Sequence, residues 1–103
     1  MNKSMIYARV ASNEQASGKL EEQINLCNQF AADNELTVYA VYKDVIGTHI
    51  PDKRFNDILE EMIINDVEDL IVQDLSRISR NSIKVLELVQ KFTEQGKNII
   101  SVV

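Results

Sequence analysis

The stretch Tyr7-Ala-Arg-Val-Ala-Ser-Asn-Glu-Gln15 has the pattern of an apolar strand that runs into a polar loop and carries one arginine. Arginine is almost never buried without a partner, so Arg9 should either pair with a carboxylate across the sheet or meet an anionic ligand at the strand's end. A second segment, Asp74-Leu-Ser-Arg-Ile-Ser-Arg-Asn81, also follows an apolar strand. Arg9, Arg77 and Arg80 are therefore predicted to share one edge of a sheet.

The hydrophobic pattern predicts four strands that alternate with helices. Runs rich in β-branched and aromatic residues are typical of strands, and such runs cover residues 4–10, 37–42, 69–73 and 98–103. The run 37–42 is continuously apolar, which is typical of a strand covered on both faces. After a polar loop at 13–18, helical spacing of apolar residues marks three helices: the first with Leu20, Ile24, Cys27 and Ala31, the second with Phe55, Ile58, Leu59, Met62 and Ile63, the third with Val85, Leu88, Val89 and Phe92.

This alternation predicts the fold class α/β, with a four-stranded, mainly parallel sheet, helices on both faces and a flavodoxin-like layering. Sheets of this kind place their sites outside the carboxyl ends of the strands. The segments 9–15 and 76–80 and the loop after Asp44 all follow predicted strands. We expect these three segments to meet at one edge of the sheet.

Composition and charge indicate a single globular domain without a broad basic surface. Of the 103 residues, 45% are hydrophobic and 26% charged, and the net charge is −5. Seven acidic residues and no lysine or arginine lie between Phe55 and Ser76, so positive potential is expected only at the strand ends. The lone Cys27 and the absence of a long apolar run favour a cytoplasmic, reducing location without membrane contact.

Neither a metal nor a cofactor is expected. His49 is the only histidine, and since no second ligand accompanies it at fixed spacing, a solvated surface position is favoured over a metal or general-base role. The glycines at 18, 47 and 96 are too scattered to cradle a nucleotide. A flavodoxin-like cofactor binder is disfavoured because the loops at the strand ends lack aromatic residues.

Three motifs carry a resemblance to a known family: Tyr-Ala-Arg-Val with the hydroxyl residue and glutamine that follow it, Leu20-x-x-Gln23, and Asp74-Leu-Ser-Arg-x-Ser-Arg-Asn81. In order and spacing they resemble the catalytic domain of the serine site-specific recombinases, which include resolvases, invertases and large integrases. The resemblance covers the whole chain, 1–103, as one resolvase-type domain. It implies cutting and rejoining of DNA at a crossover site through a 5′-phosphoserine intermediate, without metal or ATP.

The resemblance also implies partners and a larger context. The natural chain is expected to continue into a dimerisation helix and a DNA-binding domain, and the full-length protein to form dimers and tetramers. Residues 1–103 alone are therefore expected to be a monomer or a weak dimer that binds DNA weakly. The expected location is cytoplasmic and associated with the nucleoid.

The same resemblance assigns the charged residues at the strand ends to catalysis. The family's phosphate-binding arginines correspond to Arg9, Arg77 and Arg80. Its acidic residue after the second strand corresponds to Asp44. A salt bridge between Asp44 and Arg9 is the structural alternative, and both roles can hold at once.

Polar support and a basic loop complete the predicted site. Gln15 and Gln23 match the family's polar supporting residues, and Gln23 is also assigned to phosphate binding. The loop position that the family fills with arginine falls on Asp52 or Lys53 according to the direction of counting, and Arg54 lies one step further. The register stays open, with Lys53 and Arg54 as the candidate phosphate ligands.

The decisive departure from the family is at position 11, where alanine replaces the nucleophilic serine. Strand alternation places Ala11 on the face of Arg9 and turns Ser12 the other way, so Ser12 is a weak substitute. The chain is therefore predicted to be deficient in DNA cleavage. The alternative left open is a catalytically silent domain of the same fold that binds an anion or DNA in a regulatory role.

Overall fold

The structure, a computed structural model, describes residues 2–11, 16–46 and 52–103. In chain order these form β1 (Lys3–Val10), α1 (Ala16–Asp33), β2 (Thr37–Val45), α2 (Asp52–Ile64), β3 (Asp69–Val72), a 3₁₀ turn (Leu75–Arg77), α3 (Ser82–Glu94) and β4 (Asn98–Ser101). The strands make one sheet in the order β2-β1-β3-β4, and every neighbouring pair is parallel. The predicted α/β fold is confirmed.

Strand β1 lies inside the sheet, and its side chains alternate between two cores because successive residues of a strand point to opposite faces. Met5 and Tyr7 belong to the core under α2 and α3, where the Tyr7 ring meets Phe55 edge-on with centroids 5.1 Å apart. Ile6 and Ala8 belong to the cores under α1. The prediction of helices on both faces is confirmed.

The prediction that β2 is covered on both faces is wrong. β2 is an edge strand, and Tyr39, Val41 and Val45 are 48%, 36% and 48% exposed. Val38 packs under α1, whereas Ala40 and Tyr42 pack on the opposite core. A continuous apolar run is therefore compatible with an edge position whose outer residues α1 does not reach.

The helices present the predicted apolar faces with one exception. Ile63 on α2 is 47% exposed, so the buried stripe of that helix ends at Met62, one position earlier than predicted. Helix α1 begins at Ala16, inside the segment predicted as a loop. Within the described ranges, the helices are too short or too polar to span a bilayer.

The ends of α3 are set by Asn81 and Gly96. The Asn81 side chain accepts hydrogen bonds from the N–H groups of Ile83 and Lys84, which makes it the N-cap of the helix. Gly96 follows the helix with a φ of +73°, a left-handed conformation that glycine adopts without strain. Asn81 therefore fixes the start of α3 close behind the 3₁₀ turn that carries Arg77, and Gly96 marks its end.

Candidate active site at the carboxyl end of the sheet

The end of β1 extends past β3. Its pairing with β3 stops at Tyr7 and Val72, whereas its pairing with β2 continues to Val10 and Val45. Beyond that point the Ile46 N–H still donates to the Val10 carbonyl oxygen at 3.1 Å. The last residues of β1 therefore have a strand on one side only.

Gln23 of α1 occupies the place of the missing strand. Its Oε1 accepts from the Arg9 N–H at 3.1 Å, and its Nε2 donates to the Arg9 carbonyl oxygen at 2.9 Å. Buried main-chain groups need such partners, and Gln23 is itself only 1% exposed. Gln23 therefore supports the main chain of β1 through both polar atoms of its amide, and a phosphate contact by Gln23 stays a prediction.

The guanidinium of Arg9 ties β1 to the 3₁₀ turn. Its Nε donates to the Arg77 carbonyl oxygen at 3.0 Å and its Nη2 to the Ser76 carbonyl oxygen at 3.1 Å. Arg9 is 8% exposed, so these acceptors stabilise a charge that burial alone would disfavour.

Arg77 lies against Arg9, which confirms that these two arginines share one edge of the sheet. Its Nε and Nη2 donate to Gln73 Oε1 at 3.2 and 3.0 Å, and its Nη1 lies 3.5 Å from the Arg9 carbonyl oxygen. Its Nε is 3.7 Å from Asp74 Oδ2. The side chain is 30% exposed and lies beside the end of β1.

Asp44 lies next to β1, in register with Arg9. Its Oδ2 accepts from the Tyr7 hydroxyl at 2.7 Å and from Arg54 Nε at 3.0 Å. Arg54 also stacks on the Tyr42 ring, with its guanidinium carbon 5.0 Å from the ring centroid. Within the described ranges the ion-pair partner of Asp44 is therefore Arg54, where the sequence suggested Arg9.

Burial raises the pKa of Tyr7 above its ordinary value, and the hydrogen bond to Asp44 and the charge of Asp44 raise the pKa further. The nearby Arg9 and Arg54 act in the opposite direction but are weaker. Tyr7 therefore remains a protonated donor at all physiological pH values. It holds the Asp44 carboxylate from the side of the buried core.

The structure separates Lys53 from Arg54. Arg54 reaches Asp44, whereas Lys53 Nζ pairs with Asp57 at 2.9 Å on the outer surface of α2, where the Lys53 side chain is 82% exposed. The hydrogen bond to Asp57 raises the pKa of Lys53 above its ordinary value. A phosphate contact by Lys53 stays a prediction, and the side chain of Asp52 lies outside the described part.

Ala11 and Arg80 are both exposed. Ala11 is the first residue after β1. Arg80 lies between the 3₁₀ turn and α3, and it makes no hydrogen bond or ion pair with the residues that the structure describes. Its place in the same ligand-sized area as Arg9 and Arg77 stays a prediction.

Several predicted positions fall outside the described residues. They are Ser12 and Gln15, which come after β1 in the sequence, and His49, which comes between β2 and α2. In the part of the chain that the structure covers, no group of three or more His, Cys, Asp or Glu side chains is arranged to hold a metal ion.

Two residues of this site escaped the sequence analysis. Gln73 was counted as part of a strand, although it stands four residues before Arg77, a spacing at which side chains meet across a helical turn. Tyr7 was treated only as part of an apolar strand, although it shares the strand face of Arg9 and carries a hydroxyl that needs a partner when buried. Both signals were present in the sequence, but neither distinguishes a functional position from ordinary packing.

The fold and this edge define a parallel α/β domain whose strand ends present arginines suited to an anion. The chain belongs to the family described as "Resolvase, N terminal domain", whose model matches residues 4–103. Among curated protein sequences the chain has no significant match.

Solved structures agree with the family. The N-terminal catalytic domain of TP901-1 integrase matches with a TM-score of 0.85 at 24% identity, over 98% of this chain and 78% of that one. A resolvase family site-specific recombinase from Streptococcus pneumoniae matches with a TM-score of 0.81 at 29% identity, over 99% and 72%. The C-terminal catalytic domain of ISC1926 TnpA, an IS607-like serine recombinase, matches with a TM-score of 0.82 at 24% identity, over 98% and 70%. This chain therefore has the fold of a serine recombinase catalytic domain.

Proposed function

We propose that this chain is the catalytic domain of a DNA site-specific recombinase and that it binds the scissile phosphate at the end of β1. The observation that carries the proposal is the contact of Arg77 with Arg9. Arg77 Nη1 lies 3.5 Å from the Arg9 carbonyl oxygen, and Arg9 is only two residues before the nucleophile position. A phosphate that reaches position 11 therefore meets the charge of Arg77.

The chemistry of strand exchange fits these residues. Attack on a phosphodiester concentrates negative charge on the phosphate oxygens, and fixed positive donors stabilise that charge best. Arginine suits this role because its planar fork donates to two oxygens and stays charged at any relevant pH. Arg9 anchors the 3₁₀ turn, Arg77 faces the phosphate, and Arg80, exposed three residues later, is assigned to an outer phosphate contact.

Asp44 and Arg54 form the second side of the proposed site. Their ion pair and the hydrogen bond from Tyr7 hold the carboxylate in one position. Arg54 takes the part of the basic loop residue because it reaches the acidic residue that lies beside Arg9. Lys53 is left as an outer, solvent-screened phosphate contact.

The family's 5′-phosphoserine intermediate requires a hydroxyl that position 11 lacks. In well-studied hydrolases the loss of a nucleophile lowers the rate on the order of a millionfold while binding persists. A replacement hydroxyl misplaced by about an ångström loses roughly a hundredfold, which disfavours Ser12. The chain as written is therefore proposed to bind DNA without cleaving it.

A second candidate function is a silent DNA- or anion-binding domain of the same fold. It is favoured by one observation: among the described residues, Gln23, Gln73 and main-chain carbonyls contribute contacts that hold Arg9 and Arg77, and none of these contacts involves the side chain at position 11. DNA is the proposed partner of the recombinase domain, and DNA or another anion is the proposed ligand of the silent domain. From the family we also propose that a longer natural protein forms dimers and tetramers and is located in the cytoplasm.

Restoring the hydroxyl tests the proposal. The natural protein carrying Ala11→Ser is incubated with a randomised duplex DNA library, and DNA that remains attached after denaturation with detergent is recovered and sequenced. A recombinase domain gives a covalent adduct at a recurrent sequence with Ala11→Ser and none with the unaltered protein. Adducts from neither protein, together with DNA binding that depends on Arg77, would favour the silent domain.

A further inference from the structure

Gln73 is held in place by the sheet and in turn holds Arg77. It follows β3 directly, and its carbonyl oxygen accepts from the Val103 N–H at 3.0 Å, which extends the pairing of β3 with β4. Its side-chain Oε1 accepts from both Nε and Nη2 of Arg77, at 3.2 and 3.0 Å. One edge of the Arg77 fork is therefore fixed to a rigid element, and Nη1 on the other edge faces the end of β1.

A competing acceptor lies beside Gln73. Asp74 Oδ2 is 3.7 Å from Arg77 Nε, beyond normal hydrogen-bond distance. The other oxygen of Asp74 accepts from the Ser76 N–H at 2.9 Å and caps the 3₁₀ turn. A small rotation of Arg77 would replace the amide partner by a carboxylate, and that pairing would neutralise much of the charge that an anion needs.

We propose that Gln73 is a positioning residue that keeps Arg77 available to phosphate. Its neutral amide oxygen accepts hydrogen bonds from Nε and Nη2 of Arg77 without neutralising the charge of the guanidinium. These hydrogen bonds keep Arg77 from forming a closer ion pair with Asp74. Two of the five donors of the guanidinium are used in this way. The proposal rests on the proposed function of Arg77 as a phosphate ligand.

The test measures the binding of inorganic phosphate by the natural protein. Binding is followed by NMR through the Nε–Hε resonance of Arg77 in arginine-labelled protein. We expect Gln73→Ala to lower phosphate affinity about tenfold, since a hydrogen bond to a charged group is lost. We expect Gln73→Glu, which has nearly the same shape, to lower it at least about tenfold because the new carboxylate pairs with Arg77. Both variants should shift the Arg77 resonance before phosphate is added.

Asp74→Asn provides the rescue. Asparagine caps a turn as well as aspartate does, so the substitution removes the competing charge and keeps the capping hydrogen bond. Added to Gln73→Ala, it should restore phosphate affinity to within about twofold of the parent, a coupling expected only between interacting residues. A purely structural role for Gln73 predicts no such rescue.

The outcomes separate this inference from the function on which it rests. If Arg77→Ala abolishes phosphate binding while Gln73→Ala and Gln73→Glu bind like the parent, the inference is wrong and the proposed function stands. If Asp74→Asn does not restore the phosphate affinity of Gln73→Ala, the inferred competition between Gln73 and Asp74 for Arg77 is wrong. If Arg77→Ala binds phosphate like the parent, the proposed function fails and the inference fails with it. Should Gln73→Ala not fold, Gln73→Glu alone decides.

Discussion

The carboxamide of Gln23 makes two hydrogen bonds to the main chain of Arg9, at 3.1 and 2.9 Å, where a neighbouring strand would otherwise run. The site is therefore built on a strand that projects beyond β3 and is held there by a side chain of α1. This arrangement exposes the residue after β1 at the carboxyl edge while the peptide groups behind it stay satisfied.

Replacing Gln23 should destabilise the fold itself. Gln23→Ala leaves the buried N–H and carbonyl of Arg9 without partners, so the free energy of unfolding should fall by about 2–4 kcal/mol. Urea denaturation followed by circular dichroism measures the change. Gln90→Ala, at an exposed position of α3, is the matched control and should stay within about 0.5 kcal/mol of the parent. Equal stabilities for the two variants would contradict the structural role.

Substitutions of Arg9 and Arg80 should affect the free energy of unfolding differently, although both residues are proposed to take part in DNA binding. Arg9→Ala removes the donors to the Ser76 and Arg77 carbonyls and should lower the free energy of unfolding by about 2–3 kcal/mol. Arg80→Ala should leave it within about 0.5 kcal/mol. If Arg80 contacts a DNA phosphate, its removal should reduce the slope of log affinity against log salt by about 1. An unchanged slope would remove Arg80 from the site.

Tyr7 should make stability depend on alkaline pH. Its pKa is raised in the folded protein, so above about pH 10 the unfolded chain loses a proton that the folded chain keeps. The unfolded state then binds fewer protons, and the free energy of unfolding falls as pH rises, by at most about 1.4 kcal/mol per pH unit. The free energy of unfolding of Tyr7→Phe should depend less on pH over the same range. Urea denaturation between pH 9 and pH 11.5 measures this difference.

Titration of Cys27 does not affect the comparison between the parent and Tyr7→Phe. Burial raises the pKa of the Cys27 thiol to about 11, which also lowers stability at alkaline pH, but the parent and Tyr7→Phe share it. The difference between their curves therefore isolates Tyr7. Parallel curves would mean that the Tyr7 hydroxyl titrates in the folded protein as it does in the unfolded one.

The neighbouring residues Lys53 and Arg54, in the first turn of α2, form a matched pair for testing which basic residue serves the site. In the Ala11→Ser background, Arg54→Ala should slow adduct formation at least about tenfold, because it releases Asp44 beside the phosphate. Lys53→Ala removes only a solvent-exposed ion pair and should change the rate about twofold or less. Rates of adduct formation are measured on denaturing gels, and equal effects of the two substitutions would contradict the assignment of Arg54 as the basic residue of the site.

Much of this arrangement could be predicted from the sequence because it follows from periodicity. Helical and strand periodicity predicted the alternating α/β order, and parallel topology brought Arg9 and Arg77 to the same edge. The edge position of β2 could not be predicted, because an apolar run has the same composition whether or not a helix covers it. The ion pair of Asp44 with Arg54 was equally hidden, because the two residues are 10 positions apart in sequence and that spacing alone does not predict contact in space.

Hydrogen bonds from glutamine side chains were the least predictable part of the site. Gln23 acts because β3 ends before β1 does, and strand lengths are not encoded with that accuracy in a hydrophobic pattern. Gln73 acts because the chain turns sharply after β3 and returns Arg77 toward the sheet. Both depend on where elements end.

The residue that bears the covalent phosphate tests the central claim most directly. Protein–DNA adducts formed by the natural protein, by Ala11→Ser and by Ser12→Ala are digested, and the modified peptide is sequenced by mass spectrometry. We predict phosphoserine at position 11 in Ala11→Ser and no adduct from the unaltered protein. An adduct from the unaltered protein that maps to Ser12, and that Ser12→Ala abolishes, would contradict the assignment of position 11 as the vacant nucleophile position.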